Sequence, residues 1–278
     1  MLTSTEKTTG YAAVNGLNLY YEVHGEGEPL ILLHGGLGLT ATVAGVTAQF
    51  SKHRQVIAVD LYGHGRTALT DRPMSPESIG DDLAALIEFL GLEKADVMGY
   101  SLGAATALQL TIRHPERVKK LVVVSTPYRR TGWFPEVLAA MDQMGPAMAE
   151  MMKPSPMYQT YARVAPRPED WPVLITRVAE SLKKDYDRSK GIAAITAPTM
   201  LVFGDADAVP PSHAAEFFAL LGGGKKDAGW DGSGLTQNRL AILPGATHYN
   251  ILESPLLVPA VTQFLSLSAN NKQTAPAQ

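Results

Sequence analysis

The chain has 278 residues, of which 45% are hydrophobic, and a formal net charge of −3. That length allows one large domain or one and a half ordinary ones, and the charge leaves no basic field for nucleic acid or an anionic membrane. The sequence contains no cysteine, which excludes disulfides, thiolate catalysis and cysteine-based zinc or iron–sulfur sites. The opening "MLTSTEKTTG" lacks the basic-then-apolar pattern of a signal peptide, and no apolar run reaches the roughly eighteen residues of a membrane span. A cytoplasmic location is the expectation.

Short apolar runs alternate with longer amphipathic segments. "LNLYYEV" (Leu17–Val23) alternates with period two and reads as a half-exposed strand. "PLILLHGG" is a continuous apolar run that stops in glycines, as a buried strand does. A helix is expected near Thr40–Phe50, then the strand "QVIAVD" (Gln55–Asp60) and a glycine-rich turn, "LYGHGRT". Ser75 opens "SPESIGDDLAALIEFLG", with a Ser cap, Pro76 in the first turn, acids early and Gly91 at the end. "ADVMGYS" is a strand, "LGAATALQLTIRH" a helix ended by Pro115, and "VKKLVVVST" the next strand.

This alternation implies a mostly parallel sheet with helices on both faces. It breaks between residues 127 and 196, where no clear strand is visible and aromatics and methionines gather. It resumes with "PTMLVFGDAD", the helix "PSHAAEFFALL", the strand "NRLAILPG" and the final helix "SPLLVPAVTQFLSL". The expected organisation is an α/β core formed by 1–126 and 197–278, interrupted by a helical insertion over 127–196. Met141, Met144, Met148 and Met151 are spaced as one helical stripe. Such a stripe is either a buried packing face or the wall of a permissive apolar pocket. "GGGKKDAGWDGSGLTQ" (Gly222–Gln237) reads as a flexible surface loop, with a partner-binding role for Trp230 as the alternative. The tail "SANNKQTAPAQ" is polar, unpatterned and expected to fray.

Gly99-Tyr100-Ser101-Leu102-Gly103 matches the G-x-S-x-G pattern of a nucleophile elbow, in which a sharp strand-to-helix turn exposes the serine hydroxyl. Strand and helix approach closely on either side of that turn, so only small residues fit two positions before and after the serine. A serine hydroxyl needs a base, the base an orienting acid, and the developing oxyanion a set of donors. In a parallel sheet these groups belong at the carboxyl ends of strands. His248 follows the last strand in "LAILPGATHYNIL" and is the candidate base. "GDADAVPP" offers Asp205 and Asp207 for the acid; Asp207 is favoured because it lies further past the strand, while Asp205 is placed to cap the turn. The position after "VVV" holds Ser125 and Thr126, neither of them acidic. The backbone N–H groups of Leu102 and Gly36 are the candidate oxyanion donors.

With these motifs in place, the sequence resembles the α/β-hydrolase family, and within it the serine esterases with a helical cap. The resemblance runs from about Tyr11 to Leu267. It rests on "LLHGG" (Leu32–Gly36), "DLYGHGRT" (Asp60–Thr67), "GYSLG" (Gly99–Gly103), "HPERV" (His114–Val118), "GDADAVPP" (Gly204–Pro211) and "GATHYNIL" (Gly245–Leu252). The order Ser…Asp…His is the family order. The resemblance implies an α/β-hydrolase fold with a lid formed by the insertion. It also implies that Asp60 and Arg66 are scaffold, that the nucleophile is a serine rather than the aspartate of haloalkane dehalogenases and soluble epoxide hydrolases, and that no metal or organic cofactor takes part. Leu37, Tyr100, Met144 and Val209 are assigned to the substrate pocket. The "HGGLG" loop departs from the "HGGG" of many lipases, which speaks against esters of bulky tertiary alcohols.

The expected activity is hydrolysis of small, largely apolar carboxylic esters, with a small-molecule ester as the partner and neither nucleic acid nor membrane. Lactone hydrolysis, carbon–carbon hydrolysis and perhydrolysis would use the same machinery. Two readings of other classes stand against it. Gly36-Leu37-Gly38-Leu39-Thr40-Ala41 fits a dinucleotide-binding G-x-G-x-x-G/A, with Asp60 where a ribose-binding acid belongs, but this leaves Ser101, Asp207 and His248 without a role. The other is a ligand-binding receptor with a slow or vestigial triad. Oligomeric state carries no signal in the sequence.

Overall fold

A computed structural model of the chain describes residues 7–267; the tail "SANNKQTAPAQ" lies outside them. The strands are β1 (Thr8–Val14), β2 (Leu17–His24), β3 (Pro29–Leu33), β4 (Gln55–Val59), β5 (Ala95–Tyr100), β6 (Val118–Val124), β7 (Thr199–Ala206) and β8 (Arg239–Thr247). They form one eight-stranded sheet in the order β1-β2-β4-β3-β5-β6-β7-β8. β2 runs antiparallel to both of its neighbours, and every other pairing is parallel.

The sheet is buried on both faces. Ile31, Leu33, Val97, Leu121, Val123, Leu201 and Phe203 pack on one side, and Leu30, Leu32, Met98, Val122, Val124, Met200 and Val202 on the other. This is why the central strands read as unbroken apolar runs rather than alternating ones. Strand β1 is not anticipated by the sequence reading, which starts the sheet at Leu17. Its first residues are exposed and only Ala12 and Val14 are buried, so the apolar alternation is too short to register. Asn15 and Gly16, at φ 47° and 76°, form the turn of a tight β1–β2 hairpin, for which Asn-Gly is the favoured pair.

The covering helices are α1 (Ala44–Phe50), α2 (Pro76–Phe89), α3 (Leu102–Arg113), α9 (Pro211–Leu220) and α10 (Leu257–Ser266). Ser75 caps α2 by accepting from the Ser78 N–H at 3.1 Å, with Pro76 at the first helical position. Between β6 and β7 lie α4 (Pro135–Gln143), α5 (Ala147–Met151), α6 (Pro156–Val164), α7 (Trp171–Lys183) and α8 (Ser189–Ala193). Trp171 organises this segment. It packs edge-on against Tyr158 and at a tilt against Tyr161, and donates its indole N–H to the Ala149 carbonyl at 3.1 Å. Arg167 ties the segment to the core through the Leu69 carbonyl, 2.8 Å away.

The expected single methionine helix is corrected here. Gly145 and Pro146 separate α4 from α5, and proline cannot continue the preceding helix. Met151 is left 77% exposed. Among the described residues, no helix is long and apolar enough to cross a membrane.

Candidate active site

The turn between β5 and α3 sets the geometry. Ser101 sits at φ 53° and ψ −115°, a strained region for a non-glycine residue that costs about 1–3 kcal/mol. A Cβ on Gly99 would lie 2.2 Å from the Gly103 carbonyl oxygen, and one on Gly103 would lie 2.4 Å from that of His34. No side chain fits in either place, so strand and helix can meet only because both residues are glycine. Ser101 emerges at the carboxyl edge of the sheet.

Two loops from the same edge reach it. The loop after β8 brings His248, whose Nε2 is 3.2 Å from Ser101 Oγ. The loop after β7 brings Asp207, whose Oδ1 is 3.2 Å from His248 Nδ1. The Asp207 side chain is fully enclosed, whereas that of His248 is 13% exposed. Burial works to raise the Asp207 pKa. Hydrogen bonds from His248, Ser125 and the Gly204 N–H outweigh it, so the carboxyl stays below its ordinary range. Ser125 Oγ donates to Asp207 Oδ2 at 2.5 Å, Gly204 N–H donates to the same oxygen at 3.1 Å, and Ala208 N–H donates to Oδ1 at 2.7 Å. Asp205 does not join this group. Its Oδ1 accepts from the Gly245 N–H at 2.8 Å and links the carboxyl ends of β7 and β8, rather than capping a turn.

Ser125 is a site residue that the sequence reading passes over. It follows β6 with φ 53°, at a position that the sequence reading weighs only as a place for an acid. Its position at a strand end, one strand from the serine, is the signal that could have found it. Tyr100 has a second role beyond the one expected. Its hydroxyl donates to the His248 carbonyl at 2.6 Å, and its pKa is pushed up to about 12 by burial and by the Asp207 charge, so it stays a donor.

Ser101 and His248 open onto a cavity of about 760 Å³. Gly36, Leu37, Tyr100, Leu102 and Met144 line it, together with Met74, Met141, Met148, Met157 and Trp133. Val209 does not. It is wholly buried in the core, and its neighbour Ala208 faces the cavity instead, which corrects that assignment. The Gly36 and Leu102 N–H groups are engaged in no hydrogen bond among the described residues. The loop bearing Gly36 is held by His34. His34 Nδ1 lies 2.7 Å from the Gly35 carbonyl, and Nε2 accepts from the Leu61 N–H at 3.1 Å. Burial drives its pKa down to about 4, so the ring is neutral, with its proton on Nδ1 donated to Gly35.

Asp60 is fully buried and used elsewhere. It accepts from the Thr40 N–H at 2.7 Å and the Arg66 N–H at 2.8 Å, and pairs with the Arg66 guanidinium at 3.3 Å. That is a scaffold role, and it leaves no carboxylate free for a ribose.

A family model described as the alpha/beta hydrolase fold matches residues 28–153. The crystal structure of E-2-(acetamidomethylene)succinate hydrolase superposes with a TM-score of 0.73 at 21% identity, covering 94% of this chain and all of that one. The chain has the α/β-hydrolase fold. Among curated relatives, the chain is similar to the provisionally named carbamate hydrolase RutD of Azorhizobium caulinodans, with 27% identity over 75% of this chain and 84% of that protein. It is also similar to 2-hydroxy-6-oxo-2,4-heptadienoate hydrolase of Pseudomonas putida, with 39% identity over 36% of this chain and 38% of that protein. The second match thus spans well under half of that relative's length.

Proposed function

We propose that this α/β-hydrolase is a serine hydrolase that cleaves carboxylic esters of small, largely apolar substrates through an acyl-enzyme. The observation that carries this is the continuous Ser101–His248–Asp207 relay, with both links at 3.2 Å, opening on an apolar cavity. In this reading Ser101 Oγ attacks the ester carbonyl carbon while His248 Nε2 takes its proton. Asp207 holds the Nδ1–H tautomer and stabilises the imidazolium. The Gly36 and Leu102 N–H groups receive the oxyanion, where losing one donor costs about 2.7–4 kcal/mol in comparable sites. His248 returns the proton to the leaving alcohol, and water then releases the acid by the same route. The segment between β6 and β7 acts as a cap, with Leu37, Tyr100 and Met144 shaping the substrate pocket.

Ser101→Ala tests this directly. Turnover of p-nitrophenyl esters and labelling by a fluorophosphonate should both vanish while the circular dichroism spectrum is unchanged. Labelling that persists in the variant would show the nucleophile to be elsewhere. Carbon–carbon cleavage by the same groups is the second reading, favoured by the Pseudomonas putida relative, whose named substrate contains no ester. A panel of esters, lactones and dienoate ketones separates the two by kcat/KM.

A further inference from the structure

Five charged side chains line the cavity: Glu77, Glu136, Lys184, Asp185 and Arg188. Glu136, Lys184 and Asp185 are exposed, and Glu77 is half-buried and accepts from Gln109 at 2.9 Å. Arg188 differs from all of them, being only 8% exposed. Its Nε and Nη1 are shut off from solvent and have no hydrogen-bond partner among the described residues. A guanidinium does not discharge by losing its proton, and a buried charge without a counter-ion is costly. The neighbouring Asp187 does not supply one, since its Oδ1 accepts from the Ser189 N–H at 2.8 Å.

The position of this cation is fixed. The Arg188 N–H donates to the Tyr128 carbonyl at 3.0 Å, and its own carbonyl accepts from Ile192 at 2.9 Å in the first turn of α8. The guanidinium carbon rests 3.9 Å from the centre of the Tyr186 ring. The Tyr186 hydroxyl accepts from the Trp133 indole at 3.1 Å, and Trp133 packs edge-on against His248 with ring centres 5.5 Å apart. Arg188 is thus linked to His248 through Tyr186 and Trp133, and all four residues line the cavity. The Tyr186 ring covers one face of the guanidinium, so a ligand meets the cation at its edge rather than on that face.

We propose that Arg188 binds an ionised carboxylate carried by the substrate, so that the preferred ester has a second, free acid group on its acyl or alcohol half. A planar guanidinium is the side chain best matched to a carboxylate, and such pairs are strong where water is excluded. The proposal rests on the ester reading for its substrate class but not for its anion site.

The test compares kcat/KM for two matched pairs, mono-4-nitrophenyl glutarate against 4-nitrophenyl pentanoate, and 3-acetoxybenzoate against 3-methylphenyl acetate. Titration calorimetry with glutarate reads binding without turnover. The expected result is at least about a tenfold preference for the acid in one pair, falling to near unity in Arg188→Met and to an intermediate value in Arg188→Lys. Equal or poorer turnover of the acid in both pairs overturns the proposal, as does a preference unchanged in Arg188→Met. Should Arg188→Met fail to fold, Arg188→Gln and Arg188→Lys give the same reading. If no ester is turned over, calorimetry decides. Glutarate binding that is lost in the variants upholds the anion site while the ester reading falls. Turnover of the neutral esters without glutarate binding does the reverse.

Discussion

Asp207 accepts four hydrogen bonds on its two oxygens, from His248, Ala208, Ser125 and Gly204. Replacing it by asparagine would favour the wrong histidine tautomer, and comparable enzymes then lose a factor on the order of 10⁴ in kcat. Asp205→Asn should cost far less, because Asp205 only links the ends of β7 and β8; steady-state kinetics on both variants ranks them. Ser125→Ala removes one charge-assisted bond and leaves the backbone donors in place, so a loss of about tenfold in kcat is expected, with KM little changed. Gly36 offers a different experiment. A Cβ there would meet nothing closer than 3.9 Å, so Gly36→Ala should fold normally. Its methyl would stand on the cavity wall beside the oxyanion position, and kcat/KM should fall while the melting temperature holds.

The connection between α9 and β8 carries Trp230, which is fully exposed. It joins the end of a helix to the amino end of β8, so it lies at the sheet edge opposite the strand ends that carry Ser101, Asp207 and His248. None of its residues lines the cavity. Replacing residues 225–235 with a short Gly-Ser linker should leave ester turnover within about twofold, provided Asn238 is kept. Asn238 binds the Thr199 N–H and the Leu221 carbonyl, at 2.8 and 2.6 Å, and so joins β7 to the end of α9. The elements that the sequence showed well are those with a single dominant cause: continuous apolar strands, the Ser75 cap, the glycines around Ser101. Positions set by contacts between distant segments were harder to read. Ser125, the hydrogen bond from Trp133 to Tyr186, and the burial of Arg188 depend on which loops meet at the sheet edge. Val209 lies one residue away from the wall, since the twist of a loop is not encoded in periodicity.

Two neutral histidines are locked side by side beneath the sheet edge that carries Ser101, His34 with its pKa lowered by burial to about 4 and His64 to about 3. Their rings lie 5.2 Å apart. The unfolded chain protonates both near the ordinary value of 6.5. Below that pH the unfolded state therefore holds more protons than the folded one. Stability is fully present above about pH 6.5 and declines as pH falls toward 4, by about 1.4 kcal/mol per pH unit for each histidine. Urea midpoints measured at pH 7.5 and 5 should differ accordingly, and His64→Gln should flatten the difference. The cavity wall has its own chemistry. Met74, Met141, Met144, Met148 and Met157 all face it, and each thioether is a site for conversion to a polar sulfoxide. Mild peroxide treatment should raise KM for apolar esters while fluorophosphonate labelling of Ser101 survives. On the proposed function, the protein would then lose its grip on greasy substrates under oxidative stress before it lost its nucleophile, and a sulfoxide reductase would restore it.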